Sequence, residues 1–572
     1  MLQQKFKIPF YYSDLQKERL SQNIDLPNIL KSKNITLEFG NKTTSAGDTA
    51  EIQKRFPNLY GQKIIKLIEG EHQVEPRPLK VGVVLSGGPA PGGHNVIAGI
   101  FNLIKEFHPE STLIGFKDGP IGIIKNDFKK ITEKKIFLYF NQGGFDMIGT
   151  GRDKIEKDKE FEAALKTVND HKLDGLVVVG GDDSNTNAAV LAEYFKSKGN
   201  NTCVIGVPKT IDGDLKNEYI ETSFGFDTCC KLYSEQIGNI MSDSKSAKKY
   251  FHICRVMGRS ASHIALECAL QTHPNAVYIG EDIEAKQIKL FDLVDDLIQL
   301  IESRFMEKKY YGVIIIPEGL IEFIPDMKDI IEQINHMFGL DKKRSWVIED
   351  FKNYLQDRIT TLESQKKENP NLESEYQKNI ERLELFKRLP PRITETFFDS
   401  RDPHGNINLS KIETGKLLKW CARQKMLERK EMDLRKKFQC VTHFFGYEGR
   451  CGLPSNFDAT YCYALGTTAA HLIIHKQTGV MSVVNGLTNP IKDWTAGAIP
   501  ITQMLNLELR NEEWKPVIKK ALVDLNGRPF LELQENLKEW RMNDLYSSLG
   551  PLQFSGESKD QTTKTIQLEQ KK

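Results

Sequence analysis

From residue 81 onward, short apolar runs alternate with amphipathic stretches of helix length, and this alternation constrains the fold more than any other feature. The apolar runs VGVVL, GLVVVG, TCVIGV, FHICRVMG, AVYIG and GVIIIPEG begin at residues 81, 175, 202, 251, 276 and 312. The stretch NVIAGIFNLIKEF, by contrast, places its apolar residues at i, i+3 and i+4 spacing along one helix face. Continuous apolar strands between helices are typical of βαβ units, whose parallel sheet is covered on both faces. The pattern therefore predicts an α/β fold.

Length and composition limit the classes of protein to which the chain can belong. A chain of 572 residues is too long for one hydrophobic core, so several domains are expected. Lys and Arg (79) nearly balance Asp and Glu (77), which argues against a disordered or nucleic-acid-coating protein and favours a small-molecule partner. The N-terminal stretch has no signal-peptide core and no window is apolar enough for a membrane span, so a cytoplasmic protein is expected. Nine cysteines without a CxxC pair support neither a disulfide framework nor a zinc site.

Changes in pattern along the chain predict two Rossmann-like three-layer domains with parallel-rich sheets, plus an N-terminal extension and a helical insertion. The extension covers residues 1–75 and ends at the turn-rich EPRPLK. One α/β domain is assigned to 76–240, and the other to 241–325 together with 436–550. Residues 326–435 have a long, charged sequence with a helical pattern. They are either a solvated structural addition or a regulatory or oligomer-forming element. Residues 551–572 form a polar tail that is expected to be frayed.

Two strand ends carry glycine pairs, in SGGPAPGGHN and in GGDDSNT. Glycines let backbone N–H groups approach an anion, and the helix that follows adds the positive end of its dipole. In open α/β sheets ligands gather at the carboxyl ends of strands, so both glycine pairs could frame one anionic ligand. Neither stretch matches the GxxxxGK[ST] or GxGxxG motif, and the first could also be only a tight turn.

The second glycine pair is followed directly by two acids, Asp182 and Asp183. A carboxylate beside a phosphate needs a cation between them, and Mg²⁺ held by one or two carboxylates plus substrate phosphates meets that need. Either acid alone could instead be a helix N-cap, but this explains the pair less well. The sequence therefore favours a phosphate and metal site.

A third strand end, VIGVPKTIDGDLKNEY, places Lys209, Thr210, Asp212 and Asp214 within six residues. Phosphoryl transfer needs a base for the attacking hydroxyl, a cation for the charge that develops on phosphate, and positioning groups. A surface turn with a solvated lysine would explain GDLKN alone. It explains PKTIDGD less well, because the preceding strand directs this segment to the same sheet edge as GGDD.

The stretches VVLSGGPAPGGHN, GGDDSNTNA, PKTIDGD, KYFHICRVMGR, PEGL and FGYEGRCGLPSNFDATY, in this order, resemble the phosphofructokinase family, specifically its long diphosphate-dependent branch. The resemblance extends from about residue 80 to beyond 480. It implies reversible transfer of a phosphoryl group from diphosphate to the C1 hydroxyl of fructose 6-phosphate, with Mg²⁺ as cofactor. Residues 76–240 would then bind the donor and metal, and the other α/β domain the sugar phosphate.

The resemblance also implies roles for individual residues. Asp212 would accept the proton, Asp182 would bind the metal, Lys209 would stabilise the transition state, and Gly88 would lie against diphosphate. Arg152 resembles an arginine that contacts donor phosphates in the ATP-using branch, but could also only pair with a nearby acid. The implied fructose 6-phosphate contacts are Thr210, Ile211, Asp212, Lys249, Tyr250, Met257, Gly258, Arg259, Glu318, Tyr447, Glu448, Gly449 and Arg450, with Asp214 flanking the reacting end of the sugar. Lys249 and Tyr250 match positions that reach a neighbouring subunit's sugar phosphate, which implies a homodimer or a higher oligomer.

Two positions indicate which donor is used. ATP-using relatives have glycine at the position of Asp183 and typically at that of Lys209. A carboxylate at 183 would occupy the space that the adenosine of ATP needs and would repel its phosphates. A lysine at 209 supplies a cation for a small, highly charged donor. The alternatives that stay open are an ATP-dependent 6-phosphofructokinase, a non-catalytic regulatory subunit of the same fold, and a kinase for another sugar phosphate such as sedoheptulose 7-phosphate.

Overall fold

The computed structural model of the protein describes residues 6–341, 344–399, 401, 407–510 and 513–570. The chain divides into two compact units. The first comprises Met1–Tyr233, Gly446–Ala521 and Pro551–Lys572, and the second comprises Ser234–Phe445 and Leu522–Gly550. None of the helices in the described ranges is long and apolar enough to cross a membrane.

The strands are short and mostly follow the apolar runs of the sequence. In chain order they are β1 (Ile35–Lys42), β2 (Lys63–Glu69), β3 (Lys80–Leu85), β4 (Thr112–Phe116), β5 (Phe128–Lys130), β6 (Gly175–Gly180), β7 (Cys203–Thr210), β8 (Phe224–Gly225), β9 (Tyr250–Val256), β10 (Ala276–Val277), β11 (Tyr311–Pro317), β12 (Cys440–Phe445), β13 (Val480–Asn485), β14 (Thr495–Pro500), β15 (Leu505–Arg510) and β16 (Glu513–Ile518).

The helices lie between these strands and dominate the region after β11. In chain order they are α1 (Asp14–Ser21), α2 (Asn28–Lys31), α3 (Thr49–Arg55), α4 (Gly93–Phe107), α5 (Pro120–Lys125), α6 (Glu133–Tyr139), α7 (Asp158–His171), α8 (Asp182–Ser197), α9 (Phe226–Ala247), α10 (His263–Thr272), α11 (Gly280–Ala285), α12 (Leu290–Met306), α13 (Leu320–Phe323), α14 (Pro325–Leu340), α15 (Ile348–Gln365), α16 (Glu373–Arg388), α17 (Pro391–Asp399), α18 (Thr414–Glu428), α19 (Met432–Lys437), α20 (Asn456–Ile474), α21 (Arg528–Met542) and α22 (Lys564–Glu569).

The first unit is built around a large mixed sheet with the order β1-β2-β14-β13-β7-β6-β3-β4-β5, with β8 paired to β7. Its central strands β13, β7, β6, β3 and β4 are parallel, and the flanking strands are antiparallel. The residues of β3, β6 and β7 are buried and mostly apolar along the whole strand, as expected of strands that are covered on both faces. A separate two-stranded arm is formed by β15 and β16.

The order of the central strands creates a crevice at a defined place. From β3 the chain passes to β4 on one side, and later to β6 on the other side. Ligands in open α/β sheets bind outside the carboxyl ends of strands at such a switch point. The two glycine pairs of the sequence follow β3 and β6, so the topology places both of them at this crevice.

The second unit contains a four-stranded, fully parallel sheet with the order β10-β11-β9-β12. Its apolar core includes Phe251 of β9 and Ile314 of β11 together with residues of the helices α14 to α18, such as Ile330, Phe351 and Leu417. The predicted helical insertion is therefore helical, as expected, but its apolar faces belong to the core of this unit. A solvated addition would not bury such residues.

The α/β fold with parallel-rich sheets is confirmed, but the domain boundaries differ from those assigned on the sequence. Residues 446–521 belong to the first unit and not to the second, because β13 pairs with β7 and continues the large sheet. The N-terminal extension contributes β1 and β2 to the same sheet, through pairing of β2 with β14. The polar tail is not frayed throughout, since α22 buries Ile566 and Leu568.

Candidate active site

The exit of β3 and the exit of β6 are joined by a direct hydrogen bond. Ser184 donates from its hydroxyl to the hydroxyl of Ser86, at 2.8 Å. Gly87 adopts a φ of 85°, a left-handed conformation that favours glycine, and its N–H donates to the Gly151 carbonyl at 2.8 Å. The two glycine-rich turns and the segment around Gly151 thus form one edge of the first unit.

Gly88 lies directly beneath two arginines. A Cβ atom at this position would collide with the guanidinium of Arg450 and would stand 3.8 Å from a terminal nitrogen of Arg152. Only glycine allows the Arg450 side chain to lie this close to the backbone. The planar guanidinium of Arg450 carries several N–H donors in a fork that suits a phosphate.

Lys209 is the penultimate residue of β7 and brings its ammonium group to the same edge. Its Nζ lies 3.0 Å from the position that a Cβ of Gly87 would occupy, and the side chain is buried. Burial and, to a smaller extent, the positive charge of Arg450 together lower the pKa of Lys209 to about 8, although the carboxylates of Asp182 and Asp212 act in the opposite direction. A buried ammonium with so low a pKa is typical of a functional site.

The two adjacent acids at the start of α8 face different lysines. Asp182 lies 3.6 Å from the Nζ of Lys520, and Asp183 lies 3.2 Å from the Nζ of Lys154. Neither acid occupies the N-cap position of α8, because the cap residue is Gly181 and the helix begins at Asp182. The N-cap alternative is therefore not what the structure shows for either acid.

The loop after β7 carries Asp212 and Asp214. The Asp212 N–H donates to the Thr210 hydroxyl at 3.0 Å, and the Ser223 hydroxyl donates to the Thr210 carbonyl at 3.1 Å, which fixes the start of this loop. Burial and the nearby charge of Asp212 together raise the pKa of Asp214 to about 7, although the positive charge of Lys520 acts in the opposite direction. Asp212 is thus held next to a second, more buried carboxyl group.

The segment Tyr447–Arg450 forms a short 3-10 turn of the first unit. The Tyr233 hydroxyl donates to the Gly446 carbonyl at 2.5 Å, and Gly449 packs against the Tyr233 side chain. Tyr447 and Glu448 are exposed, and the Tyr447 ring lies 5.7 Å from the Arg450 guanidinium carbon. Arg450, which the family resemblance links to the sugar phosphate, lies next to Gly88.

In the second unit, the structure brings together the ends of two adjacent strands. Met257, Gly258 and Arg259 follow β9, and Glu318 follows β11, its parallel neighbour. The Glu318 N–H donates to the Val256 carbonyl at 2.8 Å, so both segments leave the sheet side by side. Arg259 is exposed, whereas Glu318 is buried.

Lys249 and Tyr250 lie at the other end of β9. The strand has seven residues, which places them about 20 Å from Arg259 in the same chain. The Lys249 ammonium lies 5.2 Å from the Tyr250 ring centroid, and Lys249 is exposed. Tyr250 has a φ of 71°, which is strained for a residue with a side chain. These two residues therefore lie at the opposite end of the strand from Arg259.

Sequence reasoning did not identify Lys154 and Lys520, the partners of the two acids. Lys154 follows Arg152 by two residues, so a closer look at the segment GRDK could have suggested it. Lys520 stands in the stretch VIKKAL, which has the appearance of an ordinary exposed lysine pair. Nothing in that stretch signals its distance from Asp182, because the contact depends on how the arm of β15 and β16 folds back.

With this geometry established, comparison with known proteins defines the class. A family model described as "Phosphofructokinase" matches residues 80–384, more than half of the chain. The chain therefore belongs to the phosphofructokinase family.

Individual relatives narrow this assignment. The chain is 45% identical over 98% of its length to "Pyrophosphate--fructose 6-phosphate 1-phosphotransferase subunit beta 2" of Arabidopsis thaliana, covering 95% of that protein. It is 44% identical to "Pyrophosphate--fructose 6-phosphate 1-phosphotransferase" of Entamoeba histolytica, with 98% of this chain and 99% of the relative covered. A crystal structure of pyrophosphate-dependent phosphofructokinase from Marinobacter aquaeolei covers 86% of this chain and 98% of its own at a TM-score of 0.50 and 15% identity, which supports the fold.

Proposed function

We propose that this protein transfers a phosphoryl group from diphosphate (pyrophosphate) to the C1 hydroxyl of fructose 6-phosphate, giving fructose 1,6-bisphosphate and phosphate. The observation that carries the proposal is the convergence of Asp182, Lys209 and Asp212 at one edge of the first unit, where the charges of both acids act on the buried ammonium. Full-length relatives whose names specify this reaction support it. The reaction is reversible, since donor and product have comparable transfer potential.

The residues of the first unit fit the steps of such a transfer. Asp212 would accept the proton of the C1 hydroxyl. As the oxygen of that hydroxyl forms a bond to the transferring phosphorus, the bond from phosphorus to the leaving phosphate breaks. Lys209 would stabilise the negative charge on the transferring group from a buried position, and Arg450 would contact fructose 6-phosphate. Thr210, whose hydroxyl accepts the Asp212 N–H, would hold the base in place, and Asp214 would flank the reacting end of the sugar.

We propose Asp182 as the ligand of Mg²⁺. The chemistry of the group fits, because Mg²⁺ prefers oxygen ligands and is commonly held by one or two carboxylates plus substrate phosphates. Asp182 is partly accessible, with 25% of its side chain exposed, and no cluster of three or more potential ligand side chains occurs in the described parts of the chain. When bound, the metal would offset charge on the donor phosphates.

For the remaining predicted residues we propose contacts with fructose 6-phosphate or with the donor. Arg259 is an exposed fork-shaped cation suited to the sugar phosphate, and Glu318 can accept from sugar hydroxyls. Gly88 and Arg152 would contact diphosphate, because they lie close together at the glycine-rich turn after β3. The other proposed sugar contacts are Ile211, Met257, Gly258, Tyr447, Glu448 and Gly449.

We also propose that Lys249 and Tyr250 serve the site of a second copy of the chain. They lie about 20 Å along β9 from Arg259, too far to share its ligand within one subunit. A homodimer, or a higher oligomer, would bring them to the neighbour's sugar phosphate. Some relatives are named as beta or alpha subunits, so light scattering of the pure protein is the direct measurement of its assembly.

The first prediction concerns the wild-type protein. In an assay that couples formation of fructose 1,6-bisphosphate to NADH oxidation, we expect turnover with fructose 6-phosphate, Mg²⁺ and diphosphate. In the reverse direction, we expect fructose 6-phosphate to form from fructose 1,6-bisphosphate and phosphate. With ATP as the only donor, kcat/KM should be lower by orders of magnitude. Turnover with ATP alone would instead identify an ATP-dependent enzyme, and no turnover with either donor would favour a regulatory subunit.

The second prediction concerns donor selectivity. Asp183→Gly removes a carboxylate that is 44% exposed and paired with Lys154, so its space and charge no longer oppose a nucleotide. We expect the ratio of kcat/KM for ATP to that for diphosphate to rise by about tenfold or more, as the loss of a like-charge contact allows. Lys154→Met is the comparison, because it breaks the same ion pair and leaves the carboxylate. Equal ratios in the two variants would contradict a selective role for Asp183.

A further inference from the structure

The two-stranded arm of β15 and β16 brings the end of β16 to the first turn of α8. The N–H of Ile518, the last residue of β16, donates to the Thr186 hydroxyl at 3.1 Å. The same hydroxyl donates to the Asp182 carbonyl at 2.9 Å. The arm is therefore tied by two successive hydrogen bonds to the residue that we propose as the metal ligand.

The chain that leaves the arm is tied again only three residues later. The N–H of Ala521 donates to the Asp214 carbonyl at 2.8 Å. Lys520 thus lies between two fixed points, one on α8 and one on the loop that carries the proposed base. Its backbone has little freedom, and its side chain is only 27% exposed.

The Lys520 ammonium lies 3.6 Å from a carboxylate oxygen of Asp182, within ion-pair range but longer than a good hydrogen bond. A divalent cation bound by Asp182 would repel this ammonium. Diphosphate, which keeps a net negative charge when one Mg²⁺ is bound, would attract it. The flexible four-carbon stem of lysine allows the ammonium to follow the phosphate without movement of the backbone.

We propose that Lys520 is a donor-binding residue, which pairs with Asp182 before the donor arrives and with phosphate oxygens of diphosphate once it is bound. This inference rests on the proposed function and extends it. In this proposal, the arm of β15 and β16 holds the Lys520 ammonium beside Asp182. Lys209 lies at the same edge of the first unit. Two lysines from distant parts of the chain would then share the charge of the small donor.

Calorimetric binding of diphosphate tests the proposal without turnover, since fructose 6-phosphate is left out. Lys520→Met removes the charge and keeps most of the stem, Lys520→Arg keeps the charge, and Lys520→Gln is a second neutral variant should the first fail to fold. Lys519→Met is the matched control, because Lys519 is the adjacent lysine and is exposed. Each protein is titrated in chelator and again in Mg²⁺.

We expect the two neutral variants to raise the Kd for diphosphate roughly tenfold or more in both conditions, the size expected when a charge-assisted contact is lost. Lys520→Arg should stay within about threefold of the wild type, and Lys519→Met should match it. The KM for fructose 6-phosphate should not change in any of them. The expected pattern therefore separates loss of donor binding from general damage to the protein.

Two results would overturn the proposal. The first is an unchanged Kd in a folded neutral variant. The second is tighter Mg²⁺ binding with unchanged diphosphate affinity, which would mean that Lys520 only competes with the metal for Asp182. If the wild type itself neither binds nor uses diphosphate, the proposed function fails and this inference fails with it. If the wild type uses diphosphate and the neutral variants bind it equally well, only the inference fails.

Discussion

Asp212→Ser is expected to lower kcat by about 10³-fold or more, with little change in the affinity for fructose 6-phosphate or diphosphate. A positioned general base contributes about 10²–10⁴-fold, and serine cannot accept the proton at neutral pH. The structure holds Asp212 at the start of a fixed loop, with its N–H bonded to Thr210, so the substitution should not move the backbone. Steady-state kinetics in both directions, together with calorimetric binding of each substrate, provide the measurement.

The control for this variant is Asp493→Ser, which changes an exposed aspartate of the same unit outside the proposed site. It should retain wild-type kcat and KM. A kcat for Asp212→Ser within about tenfold of the wild type would remove Asp212 as the base. The neighbouring Asp214, which the structure places beside it, would then be the first carboxyl group to replace.

Periodicity was enough to predict the sheet, because strands buried on both faces must be continuously apolar. The runs at 81, 175, 202, 251 and 312 correspond to β3, β6, β7, β9 and β11 with shifts of one residue or less at their starts. The partners of the outer strands were not predictable in this way. β14 and β2 pair antiparallel across a long stretch of chain, and nothing local in either segment specifies the other.

The same limit applies to the helical insertion. The sequence of this insertion is strongly charged, and such a sequence taken alone is typical of a solvated surface addition. In the structure Phe351 and Leu355 of α15 and Leu417 of α18 are nevertheless buried in the core of the second unit. A narrow apolar stripe within a charged helix is sufficient for such packing, and its significance becomes visible only when its partner surface is known.

Local motifs predicted the part of the site that local geometry determines. Lys209 lies at the end region of β7, while Asp182 and Asp212 follow the adjacent central strands β6 and β7, so strand order alone brings them to one edge. Arg450 and Lys520 reach this region from chain segments far away in sequence. For Arg450 the family resemblance supplied a candidate role, whereas for Lys520 there was no motif to match. Contacts made by long side chains between distant segments therefore required the structure.

Lys209→Met is the second substitution with a large expected effect. It should lower kcat/KM for diphosphate by about 10²–10³-fold, the range seen when one preorganised transition-state donor is removed. Methionine retains much of the buried volume, so the packing beside Gly87 should survive. Lys492→Met, which changes an exposed lysine of the same unit, should behave as the wild type in the same kinetic assay.

The pH dependence provides an independent test of Lys209. Because its pKa is lowered to about 8, the ammonium predominates below that pH and is lost as the pH rises through it. If catalysis needs the cation, kcat/KM for diphosphate should fall on the alkaline side with an apparent pKa near 8, well below that of an ordinary lysine. Lys209→Arg keeps the charge at every accessible pH, so its kcat/KM should show no such decline on the alkaline side. If kcat/KM of Lys209→Arg falls on the alkaline side with the same apparent pKa, another group is responsible for the decline.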